Sequence, residues 1–332
     1  MFQIGKASPW GAIYSVLLVV LLQSPILRLP QFRIARVGDR TQRWLMPALA
    51  AAAMIPFVLS YGFHFDFSLF SLGSNTYDRR AEAVAAGNIF TAYLMGPLCK
   101  VMLPMLLLWG MLYLRRYWWA ALLAMSCMLY LFMVSPQKSI LFSIAIVILC
   151  GFFKDAFVKS GVLLLGVLAL CAGVVLLNVA TGHVMAESIV VRRLFFIPAL
   201  VTDSYFAFFD HHPILLSHSF LHHFFEYPYT LDPSHLIGKM MYNRSITSCN
   251  TGIVADGFMN FGHLGAIFFV FIGAFLFHLM ESVDYDSRYL GLVVLLLFAF
   301  LNGALFTSLL THGGWLLLLV VLFFIPRRKE LI

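Results

Sequence analysis

The chain has 332 residues, of which 61% are hydrophobic and only 11% charged, with a mean hydropathy of +0.90. A soluble domain carries roughly 25% charged residues, so this composition excludes a water-exposed globule and predicts a polytopic membrane protein. The net charge of +7 does not point to nucleic acid, because most basic residues fall in short loops between apolar runs, where they carry topology information.

About 20 mainly apolar residues cross a bilayer as a helix. In chain order nine stretches fit: Trp10–Leu27, Trp44–Tyr61, Ile89–Leu114, Trp118–Val134, Ser139–Phe153, Gly161–Val179, Phe261–Met280, Tyr289–Leu305 and Ser308–Ile325. The first is not followed by a small-residue cleavage site and reads as a retained helix. With the N-terminus outside, 13 of the 22 Lys and Arg residues fall in inner loops, Lys100 falls within a span, and eight remain outside. That asymmetry predicts a periplasmic N-terminus and a cytoplasmic C-terminus.

Two outer segments are long, about Gly62–Asn88 and about Ala180–Asn260. The expected architecture is all-α: residues 1–332 form one integral membrane domain of about nine to ten transmembrane helices, with 180–260 as a large periplasmic loop. Ten of the eleven histidines map to the outer side. Within the loop, apolar residues recur every three or four positions, as at Leu200, Tyr205, Phe208 and Phe209. This predicts helices lying in the membrane interface with that face toward lipid.

The outer cations include Arg79 and Arg80 in "NTYDRRAEA", Lys138 in "SPQKSILF", Arg192 and Arg193 in "SIVVRRLFFIPAL", and Arg244. A guanidinium near a bilayer is costly unless it meets water or an anion, and its fork matches phosphate oxygens. A cluster drawn from Arg79, Arg80, Lys138, Arg192 and Arg193, on three separate outer segments, would suit a diphosphate on a lipid carrier; contact with lipid headgroups is the simpler alternative. In "CNTGIVADGFMNFGHLGAIFF", Asn250, Asp256 and Asn260 stand near the mouth of an apolar span, and Gly262 and Gly265 allow a close backbone approach. Asp256 is a candidate general base, with Asp210 and His211 behind it; a helix N-terminal charge is its plain alternative. His218 and His222, four apart, would share a helical face as a metal pair, but no third ligand follows at a compact spacing. The five cysteines offer no such spacing either. No phosphate-binding glycine loop, nucleophile elbow or HExxH motif is present, so a nucleotide-linked donor is not expected.

Taken together, "YDRRAEA" (Tyr77, Arg80), "SPQKS" (Lys138, Ser139), "RLFFIP" (Arg193, Pro198, trailed by Tyr205, Phe209 and Pro213), "NTGIVADGFMNFGHLG" (Asn250, Gly252, Asp256, Asn260, Gly262, Gly265) and "LLTHG" (Thr311, Gly313) resemble, in that order, the bacterial oligosaccharide repeat-unit polymerases, the Wzy-type O-antigen polymerases. The resemblance runs from about Tyr77 to Gly313. Members often have ten to fourteen membrane helices, so a further re-entrant segment near Ala81–Phe90 is expected. The resemblance implies a GT-C-like, metal-independent glycosyltransferase without a cofactor. Such an enzyme moves a glycan from undecaprenyl diphosphate en bloc onto a new lipid-linked repeat unit, at the periplasmic face of the inner membrane, with a chain-length regulator protein as an expected partner. It further implies diphosphate contacts by Arg80, Lys138, Arg192, Arg193 and Arg244, and sugar or lipid contacts by Tyr77, Tyr205, Phe209, Asn250 and Asn260. Two alternatives share the outer cations: an O-antigen ligase, and a flippase or transporter for the same lipid-linked sugar.

Overall fold

The structure is a computed structural model and describes residues 8–63, 76–182 and 191–327. Among these, the regular elements are all helical: α1 (Trp10–Gln23), α2 (Asp39–Tyr61), α3 (Thr76–Ala86), α4 (Ile89–Pro97), α5 (Leu103–Leu112), α6 (Leu114–Val134), α7 (Lys138–Phe152), α8 (Ala156–Thr181), α9 (Ile197–Phe209), α10 (Pro233–Tyr242), α11 (Ile253–Glu281), α12 (Leu290–Asn302), α13 (Leu305–Leu310) and α14 (Gly314–Phe323). Five stretches are long and apolar enough to cross a membrane: Arg40–Tyr61, Ile89–Leu112, Tyr117–Val134, Ala156–Thr181 and Ile253–Glu281. Helix α8 is compatible with a membrane environment. It exposes Leu164, Leu165, Leu168, Leu176 and Leu177, an apolar surface that a water-facing helix does not keep.

The expected span Ile89–Leu114 is present but not continuous. Pro97 ends α4, the π-helical turn Leu98–Met102 follows, and Pro104 opens α5. Proline removes a backbone donor and crowds the preceding turn, which is a recognised cause of such irregularity. The expected last span, Ser308–Ile325, divides into α13 and α14 at Gly313, whose φ of 88° suits glycine.

The chain forms two compact units. One comprises the described parts of Met1–Leu29, Ser160–Leu279 and Ala299–Leu305; the other comprises those of Pro30–Lys159, Met280–Phe298 and Phe306–Ile332. The second unit is built on the α5–α6 hairpin. Leu106, Leu107 and Leu108 are buried there, and a Cβ on Gly110 would stand 2.4 Å from Ala121 N, so only glycine permits that approach. Buried Lys159 donates to the carbonyl of Ser287, and Arg288 Nη2 lies 2.6 Å from Asp286 Oδ2.

In the first unit α1 packs on α9 through Gly11 against Thr202 and Tyr14 against Phe206, and Tyr14 Oη lies 2.8 Å from His263 Nδ1. Helix α11 departs most from expectation. Its backbone leaves helical geometry at Phe261 and Gly262, where Gly262 has φ 63°. A Cβ on Gly257 would stand 2.3 Å from Gly265 O, and one on Gly273 would stand 2.7 Å from Ile253 Cδ1. In a straight helix residues 257 and 265 are about 12 Å apart. The arm 253–260 therefore folds back along the arm 263–281, with glycines as the seam. The longer arm still meets the minimum length for a span.

Candidate functional site

The sequence gives Asp256 the mouth of a helix; the fold-back instead puts it inside the first unit, 2% exposed. Its Oδ2 accepts from Leu305 N at 2.8 Å and its Oδ1 accepts from Asn260 Nδ2 at 3.0 Å. Asn260, 0% exposed, also donates to Asp256 O at 2.9 Å and accepts from Leu216 N at 2.9 Å. Beside it Ile214 N donates to Met259 O and Leu215 N to Asn260 O. Leu215 and Leu216 hold φ of 51° and 56°, a region leucine rarely adopts. Gly252 lies against the carbonyls of Phe300 and Leu301. The motif "ADGFMN" is thus a bracket. It ties the loop after α9 and the junction before α13 to one helical arm. A general base must reach its proton, and both oxygens of Asp256 are already occupied by buried donors. In this conformation neither side chain is open to a substrate, Asp256 being 2% exposed and Asn260 0%.

The loop is also not the run of interfacial helices expected. Helix α9 turns Val201, Tyr205, Phe206 and Phe209 inward. Tyr205 Oη donates to Cys249 O at 2.9 Å, and Phe206 stacks on Phe258 at 4.0 Å between centroids. Tyr205 and Phe209 therefore face protein rather than sugar or lipid, because the periodicity marks a buried stripe and does not say what buries it. Residues 215–224 form turns, so His218 and His222 do not share a helical face; His222 lies against His223 with ring centroids 3.7 Å apart. Among the described residues no group of three His, Cys, Asp or Glu side chains has metal-site geometry. His218 is driven below its ordinary pKa by burial, against an upward pull from Asp232.

The cations sort by unit. In the first, Arg192 and Arg193 are exposed on the π-helical turn Arg192–Phe196, which also carries exposed Phe195 and Phe196 and leads into α9, a helix whose far side is locked into protein. Arg244 is exposed after α10, and Asn250 is exposed, accepting from Ser248 Oγ at 3.2 Å. Asp210 and His211 form an exposed pair 3.5 Å apart at the opposite end of α9. From Arg193 to Asp210 a helix rises roughly 25 Å. A leaving diphosphate and the proton of an attacking hydroxyl lie only a few ångströms apart, so these two groups cannot serve one bond in this conformation.

In the second unit, Arg80 donates through Nε and Nη2 to Pro136 O at 3.0 and 2.6 Å. This brings "YDRR" and "SPQKS", 56 residues apart, into contact. Lys138 is exposed at the start of α7. The side chain of Tyr77 lies outside the described residues. The sequence reading passed over one assembly in this unit, a cavity of about 170 Å³ lined by Lys100, Gln137, Ser139, Ser143, Thr311 and His312. Its signal was present: Lys100 is the single cation inside an expected span, flanked by two prolines. Both π-helical turns among the described residues, Leu98–Met102 and Arg192–Phe196, carry basic side chains, and such turns recur at functional sites.

Compared with protein-family profiles, with curated proteins and with solved structures, the chain matches none.

Proposed function

We propose that the chain is an oligosaccharide repeat-unit polymerase of the bacterial inner membrane, with its N-terminus periplasmic and its C-terminus cytoplasmic. It transfers a nascent glycan from undecaprenyl diphosphate en bloc onto a new lipid-linked repeat unit at the periplasmic face. The observation that carries this reading is the Arg192–Arg193 pair. Two guanidinium groups are presented beside exposed Phe195 and Phe196, on a helix held by its buried face. Phenylalanines enter the interface where a lipid-linked donor keeps its diphosphate, and the arginines match that diphosphate's oxygens.

The reaction breaks the bond between the anomeric carbon and the diphosphate oxygen and forms one to an acceptor hydroxyl, whose proton is lost. Negative charge gathers on the departing diphosphate. Arginines already held in place stabilise it without reorganising, and losing one such donor costs about 2.7–4 kcal/mol of transition-state stabilisation. With Asp256 enclosed and Asp210–His211 distant, the arginine pair carries the assignment and the base does not.

The test is a gel of surface polysaccharide from a strain deleted for the chain and complemented with wild type or Arg193→Ala. The expected result is core plus a single repeat in the deletion, a restored ladder with wild type, and no long chains with Arg193→Ala at normal membrane abundance. A deletion with no surface repeat unit at all would favour a ligase or flippase and overturn the proposal.

A further inference from the structure

Lys100 sits about halfway along the candidate span Ile89–Leu112, in the π-helical turn Leu98–Met102. A lysine at mid-depth costs about 2.5–3.5 kcal/mol and ordinarily faces a polar cavity or a partner. Here it faces the cavity of about 170 Å³ described above, roughly tenfold the space one water requires. The walls come from α4, the π-helical turn, α7 and the loop before α14. They are held close: a Cβ on Gly96 would stand 2.0 Å from Thr311 O, and one on Gly313 2.8 Å from Pro97 Cα.

The lining is suited to an anion. Among the described residues no carboxylate belongs to it. Ser143 and Thr311 already donate to Ser139 O and Thr307 O. The donors left to a ligand are the Lys100 ammonium, the Ser139 hydroxyl and the second N–H of the Gln137 amide, whose first reaches Ser135 Oγ at 3.3 Å. His312 Nδ1 is buried there with no hydrogen-bond partner among the described residues. A neighbouring cavity of about 520 Å³ shares Ala92, Met95 and Gln137 with this one and is lined further by Val84, Ile89 and Tyr61.

We propose that the Lys100 cavity binds a phosphate-class anion. This rests on the polymerase reading only for the source of that anion, a lipid-linked or a free diphosphate. The test uses the full chain in nanodiscs of neutral phosphatidylcholine, with farnesyl diphosphate, inorganic diphosphate and farnesol as probes. Amine labelling read by mass spectrometry reports Lys100 in the unmodified protein, and calorimetry reports affinity. Farnesyl diphosphate is expected to protect Lys100 from labelling, and Lys100→Met to weaken its binding at least about tenfold, while Lys100→Arg retains it. Unchanged labelling, or unchanged affinity in Lys100→Met, overturns the site. Equal protection by inorganic diphosphate assigns the anion to a free source, protection by farnesyl diphosphate alone assigns it to a lipid-linked one, and equal protection by farnesol overturns the anion site. The polysaccharide gel separates the two proposals: protection of Lys100 beside an intact ladder in the deletion strain removes the polymerase and leaves the anion site, and the converse removes the site alone.

Discussion

Arg192–Arg193 and Asp256–Asn260 look alike in the sequence, as polar residues set in apolar surroundings of one long loop. The fold treats them oppositely. The arginines stand exposed on a turn whose helix is fixed from behind. Asp256 and Asn260 are enclosed, and every bond they make is to the chain itself. An exposed cation can meet a ligand; satisfied buried capacity specifies a fold. Burial separates the two roles, and residue type does not.

The largest effect that would sharpen this contrast is on stability. Asp256→Ala strands Leu305 N and removes an acceptor from Asn260 in a buried place. At about 1–3 kcal/mol for each unsatisfied group, a loss of about 2–6 kcal/mol is expected, seen as lower membrane abundance and a lower melting temperature of the purified protein. Asp256→Asn keeps an acceptor oxygen and is expected to lower abundance less while still making long chains. A stable Asp256→Asn protein that makes none would restore Asp256 as a base and break the comparison.

Arg193→Ala is the reciprocal case. The expected loss is about 2.7–4 kcal/mol in the transition state, a rate reduced by about 10²–10³, with the melting temperature unchanged because the side chain is exposed. A fall in melting temperature comparable to that of Asp256→Ala would show that the arginine also holds the fold.

The seam of α11 gives a smaller effect. Gly257→Ala puts a methyl group 2.3 Å from Gly265 O, where overpacking typically costs about 1–3 kcal/mol. Thermal unfolding checks this against Gly166→Ala, whose Cβ meets nothing within 4 Å. Equal melting temperatures for the two variants would mean that the arms do not close on that glycine.

What the sequence made legible follows the same division. Long apolar runs declare themselves, so α2, α6, α7 and α8 fall near their expected positions. Of the two glycines expected to allow a close backbone approach, Gly265 meets the Gly257 carbonyl, whereas a Cβ on Gly262 would meet nothing within 4 Å. The reversal at Phe261–Gly262 was not legible, because a continuous apolar pattern looks the same whether the helix runs straight or doubles back; only the glycines at 257, 262 and 265 mark it. With the reversal unseen, Asp256 was placed at a helix mouth. The inward face of α9 was mistaken for a lipid face, because in a membrane both solvents of a helix are apolar. The cavity at Lys100 joins residues from positions 92 to 312, and no local spacing encodes that meeting.

The smallest expected effect concerns pH. His218 neighbours Tyr227, with ring centroids 6.1 Å apart, and burial holds its pKa below the ordinary 6.5 while Asp232 opposes the shift. The folded loop therefore binds a proton less readily than the unfolded chain. Stability from this group is present above about pH 6.5 and is lost as pH falls through the folded value. Melting curves at pH 7.5 and 5.0 are expected to differ less in His218→Gln than in wild type. An unchanged difference would place the acid sensitivity elsewhere, and a larger one would reverse the sign assigned to His218. The histidine would then behave like the exposed Arg192–Arg193 pair, as charge held at a surface, rather than like the enclosed Asp256–Asn260 bracket.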